Sequence, residues 1–202
     1  DPYGRNFLGT PPQGRADYAF IQHILKSMDP HTGRCSILLP HGVLFRNEES
    51  EMRERLVRSD LVEAVIGLGA NLFFNSPMEA CILICRSEKA PNRSKKILFV
   101  DASAEVTRKN AQSYLEPQHI KRIVDAYRSD EDIEGFSSHA SFSELEDNAF
   151  SLSIPLYVKP SNDENADDRS IEETVESWKA ASTEAASLLD NIAAKLHEND
   201  GE

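Results

Sequence analysis

Between two strand-like runs, Gly67-Leu68-Gly69-Ala70-Asn71-Leu72-Phe73-Phe74-Asn75-Ser76-Pro77 places two aromatic rings in a connecting segment. Burying such rings would be ordinary, but a ring left on a loop at the end of a sheet needs a reason. Gly67-Leu68-Gly69 could also open a dinucleotide-binding fingerprint, with Glu88 about 20 residues on, where a ribose-binding acid would be sought. Leu72 occupies the place of the third glycine, and a short connection containing Pro77 supplies no helix N-terminus to hold a pyrophosphate. A nicotinamide or flavin site is not expected. Asp17, His23, His41 and Asp101 are of types that do acid–base work, but they form no recognisable pattern of nucleophile, base and orienting group. Hydrolytic catalysis is not expected either. Cys35, Cys81 and Cys85 sit in apolar runs, and Cys81 and Cys85 are too far apart along an extended strand to chelate. They read as small core residues of a protein in a reducing cytoplasm, with no disulfide framework and no metal.

These residues need elements to position them. Ala19, Phe20, Ile24 and Leu25 recur at helical spacing within Ala16 to Met28, and Asp29-Pro30-His31-Thr32-Gly33 stops that helix. Cys35 to Pro40 is the almost wholly apolar run of a strand covered on both faces. Glu49 to Ser59 is helix-permissive, with Met52, Leu56 and Val57 on one side. Leu61 to Leu68 is apolar again, so the alternation predicts a mostly parallel α/β sheet. The connection from Leu68 to Ala80 is then too short for a crossover between parallel neighbours. The strand beginning at Ala80 is therefore expected to run antiparallel. Lys96 to Val100 reads as a further strand and Glu116 to Tyr127 as a helix with Pro117 in its first turn. Residues 129 to 149 read as irregular, and Leu152 to Val158 as extended.

The last segment opens on Ser170-Ile171-Glu172-Glu173, a capping box. Ile171, Val175, Trp178, Ser182, Ala185, Leu189, Ile192 and Leu196 then step by four and three, the seam of a helix packed on its own domain or, as its narrowness and the charged linker before it favour, docked on a partner helix. Residues 161 to 202 carry 12 acidic and 3 basic side chains, against 22 and 19 in residues 1 to 160. The body is nearly neutral and the tail strongly acidic, so phosphate-driven affinity would have to come from basic surface elsewhere. No run approaches the roughly 18 apolar residues that cross a bilayer. The opening Asp1-Pro2, without a methionine, reads as a piece of a longer protein.

Five blocks, "DPYGRNFLGTPPQGRADYAFIQHIL", "GRCSILLPHGVLFR", "LVEAVIGLGANLFFNSPMEACILICRSEK", "KKILFVDAS" and "NAFSLSIPLYV", resemble in order and spacing the later half of the modification subunit of type I restriction-modification systems, adenine-N6 DNA methyltransferases. The resemblance covers roughly residues 1 to 160. It implies the later half of a Rossmann-like sheet for S-adenosylmethionine with a reversed terminal strand, to which the acidic C-terminal helix is added. The implied divisions are 1–128 for the later part of the catalytic domain, 129–169 for an irregular extension and 170–202 for the helix. Phe20, in Ala16-Asp17-Tyr18-Ala19-Phe20, resembles the aromatic that lies against the adenine of S-adenosylmethionine; a buried helix aromatic is the competing reading. Asn71-Leu72-Phe73-Phe74 resembles the place where these enzymes set a ring against a flipped-out adenine. Spacing back from Ala80 favours Phe73 for that role and makes Phe74 its core-packing sibling. Thr10-Pro11-Pro12-Gln13 is similar to the Asn/Asp-Pro-Pro-aromatic tetrapeptide of such enzymes, but Thr10 lacks the carbonyl and Gln13 the ring, so it reads as a loop.

The resemblance also implies a cytoplasmic protein with a specificity subunit and a restriction subunit as partners, and DNA bound through that complex. Ile171, Val175, Trp178, Leu189, Ile192 and Leu196 are the candidate docking residues. With the glycine-rich cofactor loop and the tetrapeptide outside it, the segment alone is expected to be inactive. Two rivals stand beside this reading: a non-catalytic assembly module acting through its helix, and a metabolite binder unrelated to DNA.

Overall fold

A computed structural model of the chain describes residues 3–110 and 112–159, together with 175, 176, 178, 179, 182 and 183. The chain divides into two units, Asp1–Ser161 and Asn162–Glu202. The first is built on helix α1 (Asp17–Ser27), strand β1 (Arg34–Pro40), helix α2 (Ser50–Arg58), and strands β2 (Val62–Leu68), β3 (Ala80–Arg86) and β4 (Lys96–Ala102). A small hairpin, β5 (Thr107–Lys109) and β6 (Gln112–Tyr114), precedes α3 (Pro117–Arg128), β7 (Ser137–Ser141) and α4 (Phe142–Asp147).

Five strands make one sheet in the order β1-β3-β2-β4-β7. β3 is antiparallel to both β1 and β2, whereas β2 and β4 are parallel and β7 is antiparallel to β4. Strands β1, β2 and β4 thus share a direction, and the chain doubles back after Leu68 as its short connection requires. The sheet is mixed where mostly parallel pairing was expected, because β3 inserts between two like-directed strands and leaves only β2 and β4 as parallel neighbours.

Alternation of side chains divides the core in two. Ile37, Leu39, Val65, Cys81, Leu83 and Phe99 meet Tyr18 and Ile21 of α1 and Leu56 and Val57 of α2. On the opposite face Ala64, Ile66, Leu68, Leu98 and Val100 meet Ile123 and Ala126 of α3. β2 is buried along its whole length, including Glu63. That carboxylate is held by Arg86 at 3.2 Å and by the Tyr127 hydroxyl, which donates at 2.6 Å; paired this way, a buried charge is tolerable. β1 departs from expectation. It is an edge strand with Ser36 and Leu38 exposed, since α3 covers the middle of the sheet and stops short of β1.

Residues 129 to 149 are not irregular. Ser137-Ser138-His139-Ala140-Ser141 completes the sheet against β4, and Ser141 caps α4, accepting from the Glu144 amide at 3.4 Å while Glu144 returns to the Ser141 amide. Residues 152 to 158 are not extended either: a 3-10 turn at Ile154–Leu156 lets the Val158 N–H donate to the Ile154 carbonyl at 3.0 Å. Leu152, Ile154 and Val158 are core residues, and Arg53 donates to the Phe150 carbonyl at 3.1 Å. This stretch packs with the sheet, within the unit Asp1–Ser161.

Candidate functional site

The connection between β2 and β3 makes a cavity of about 310 Å³ at the end of the sheet, lined by Asn71, Phe73, Phe74, Asn75, Ser76, Pro77 and Gln112. Phe73 to Ser76 is a tight turn in which the Ser76 N–H donates to the Phe73 carbonyl at 3.1 Å. Asn75 takes the third position with φ 56°, the left-handed region that Asn tolerates better than most residues, and Asn71 has φ 61°. This turn fixes the two rings differently. Phe73, at its base, is half-buried and packs against the α3-side core, whereas Phe74, at its corner, is 93% exposed. Phe74 is therefore not the core-packing sibling: a residue at the corner of a turn has no core to reach.

One side of the cavity is formed by Gln112 of β6, which sequence reasoning missed. The Ser113 N–H donates to the Asn71 carbonyl at 2.8 Å and so fastens this hairpin to the ring-bearing loop. Its strands are three residues long and polar, and Asn110, at φ 58°, follows β5 in a turn.

The glycines of the apparent fingerprint have packing explanations. A Cβ on Gly67 would lie 2.7 Å from Ile154 Cδ1, and one on Gly69 would meet the Ser103 carbonyl and Val106. Close approach of chain to chain, not a phosphate, requires them. The four candidate acid–base residues are not brought together as a catalytic group. Asp17 accepts from Arg46 at 3.0 Å, and Arg46 also reaches the buried Glu49 at 3.3 Å. Burial pushes the Glu49 carboxyl above its ordinary value, with Arg46 opposing. Burial likewise drives the neighbouring Tyr18 hydroxyl far upward. Asp101 accepts from the Ser103 amide at 3.0 Å and its hydroxyl at 2.6 Å, closing a turn. His23 is exposed on α1. His41 stands 3.7 Å from Glu79. Among the described residues no group of three or more His, Cys, Asp and Glu could hold a metal ion, and no helix is long and apolar enough to cross a membrane.

Phe20 is 64% exposed on α1, so it is not the buried helix aromatic; that place belongs to Tyr18. Val175 and Trp178 are helical and exposed, Trp178 to 70%. Ile171, Leu189, Ile192 and Leu196, and the capping box at Ser170, lie outside the described residues.

A mixed sheet with parallel core strands and a reversed strand inserted between two of them, bearing its cavity in the loop after β2, has the Rossmann-like methyltransferase fold. The N-6 DNA Methylase family matches residues 1–166, and the chain belongs to that family. It is 34% identical over 188 residues to the type I restriction enzyme MjaVII methylase subunit of Methanocaldococcus jannaschii, covering 91% of this chain and 32% of that one. To the HindI methylase subunit of Haemophilus influenzae it is 30% identical over 169 residues, 78% of this chain and 37% of the relative. A crystal structure of the type I restriction-modification methyltransferase subunit from Streptococcus thermophilus superposes with a TM-score of 0.72 at 38% identity, over 79% of this chain and 34% of the other. The EcoKI M protein, at 14% identity, shares the fold with a TM-score of 0.62 over 76% and 40% of the two chains. The chain spans about a third of the length of the curated relatives it matches and corresponds to part of a type I methylase subunit.

Proposed function

We propose that the complete protein methylates N6 of adenine in DNA as the modification subunit of a type I system, and that the loop between β2 and β3 receives the adenine once it has left the helix. The observation that carries this reading is the placement of Phe73: half-buried, braced by its turn, and lining a cavity at the sheet's end. An enzyme acting on the amine of a stacked base must first extrude it, and a fixed ring compensates the lost stacking without reading sequence. Phe73 is that wall, and Phe74 stands at the same cavity with its ring in the open. Asn71, Asn75 and Gln112 add amide groups able to meet the edge of a purine.

S-adenosylmethionine would supply the methyl group, and within this chain Phe20 would lie against its adenine ring. The glycine-rich cofactor loop and the Asn-Pro-Pro-aromatic tetrapeptide do not occur in these residues, so the segment by itself is inactive in this reading. The same proposal gives the acidic helix its part. Ile171, Val175, Trp178, Leu189, Ile192 and Leu196 form the seam on which helices of a specificity subunit dock, with a restriction subunit joining the larger cytoplasmic complex.

Incubating the complete methylase and its specificity subunit with duplex DNA and S-adenosylmethionine labelled in its methyl group tests the activity. Label is expected in N6-methyladenine. Label confined to cytosine, or absent from DNA that the complex demonstrably binds, would refute the reading.

A further inference from the structure

The hairpin of β5 and β6 lies outside the main sheet and is tied to the candidate pocket by a backbone hydrogen bond. Its register pairs Thr107 with Tyr114, Arg108 with Ser113 and Lys109 with Gln112. Directly opposed residues project to one side of a ribbon and the next pair to the other. Lys109 and Gln112 therefore share a face with Tyr114, and the Tyr114 hydroxyl donates to Gln112 Oε1 at 3.3 Å along it. Gln112 also lines the cavity beside Phe73, so this face continues the pocket wall outward.

That face sets an exposed cation and a half-open ring against the wall of the pocket. Arg46, Arg58, Arg86, Lys89, Arg93 and Arg122 have carboxylate partners, whereas Lys96 and Arg128, like Lys109, have none among the described residues. Lys109 is exposed and, among the described residues, has no ion pair or side-chain hydrogen bond. Tyr114 leaves nearly half of its surface open. An unpaired ammonium beside an open ring, along a ribbon leading away from a base-sized cavity, is the chemistry of a nucleic-acid strand: a phosphate for the cation, a sugar or base face for the ring.

We propose that the Lys109–Gln112–Tyr114 face holds the target DNA strand beside the extruded adenine, with Lys109 on a flanking phosphate and the Tyr114 ring against the neighbouring nucleotide. The inference rests on the reading of the adjoining loop as the base pocket. It locates on this chain a piece of the positive surface that the overall charge gave no reason to expect.

The test uses the complete methylase with its specificity subunit and a duplex carrying the sequence that subunit reads, with affinity measured over a salt series. Lys109→Ala is expected to reduce the salt slope by about 1 and to weaken binding about fivefold at 0.15 M salt, while Lys109→Arg retains both. Tyr114→Ala is expected to weaken binding with the slope unchanged. A Lys109→Ala protein with wild-type slope and affinity overturns the proposal. Phe73→Leu, run alongside for methyl transfer, separates the two readings. Normal transfer by Phe73→Leu sinks the base pocket and with it the placement beside the base; a defective Phe73→Leu with an unaltered Lys109→Ala sinks the hairpin contact alone.

Discussion

Adjacent residues of one chemical type can have opposite fates, and Phe73 and Phe74 illustrate what sequence can and cannot tell. That a ring stands at the end of the sheet was legible, because the connection is too short to hide it. Which ring lies in the open depended on a turn set by Asn75 at φ 56°, and nothing in the sequence fixes the turn's position to one residue. The cysteines make the same point. All three were legible as core residues, yet Cys35 faces Cys85 across the β1–β3 ladder and is only half-buried. Cys85 donates to the Cys35 sulfur, which lowers the Cys35 pKa to about 7, while burial pushes Cys81 up to about 12. The sign follows from the donor: stabilising a thiolate lowers its pKa, and removing the donor raises it again. Alkylation by iodoacetamide is therefore expected to modify Cys35 first, with its rate rising through a midpoint near pH 7. In Cys85→Ala the midpoint should move up toward the ordinary thiol value of about 8.5. A Cys35 that titrates at the ordinary value in both proteins would contradict the pairing.

At the scale of elements, strong periodicity was decisive and weak sequence was not. α2 buries the Met52, Leu56 and Val57 face its spacing predicts; α1 is a helix where expected but buries Tyr18, Ile21 and Leu25 instead of Ala19 and Phe20, α3 buries Ile123 but leaves Ile120 exposed, and β2 follows its apolar run with Glu63 buried in it. β7 escaped because Ser137-Ser138-His139-Ala140-Ser141 has little strand preference of its own; β4 supplies the ladder that makes it a strand. Leu152, Ile154 and Val158 alternate as a strand would, but Pro155 opens a 3-10 turn that seats them in the core. The acidic C-terminal segment gives the prediction that belongs to this scale. Trp178 is 70% exposed and Val175 beside it 42% exposed on a helical segment. Removing residues 170–202 from the complete methylase should abolish association with the specificity subunit, measured by co-purification, and leave the thermal unfolding midpoint within about 2 °C. Intact assembly, or collapse of the fold, would mean that the helix has another role.

For the molecule as a whole, the reversal of the chain after Leu68 determines the rest. It inserts β3 between β1 and β2, puts an eleven-residue loop at the end of the sheet and gives that loop a hairpin neighbour in β5 and β6. The reversal was legible from connection length; the hairpin was not, since two three-residue polar strands carry no periodicity to detect. The central claim is that Phe73 stacks on an extruded adenine. The direct measurement is kcat/KM for adenine methylation by the complete methylase carrying Phe73→Leu, a change that keeps apolar volume against the α3-side core and removes only the ring face. Stacking on an aromatic side chain contributes about 1–3 kcal/mol per base, so kcat/KM should fall by about 5- to 150-fold with the fold unchanged. A Phe73→Leu enzyme that methylates adenine at the wild-type kcat/KM would contradict the account.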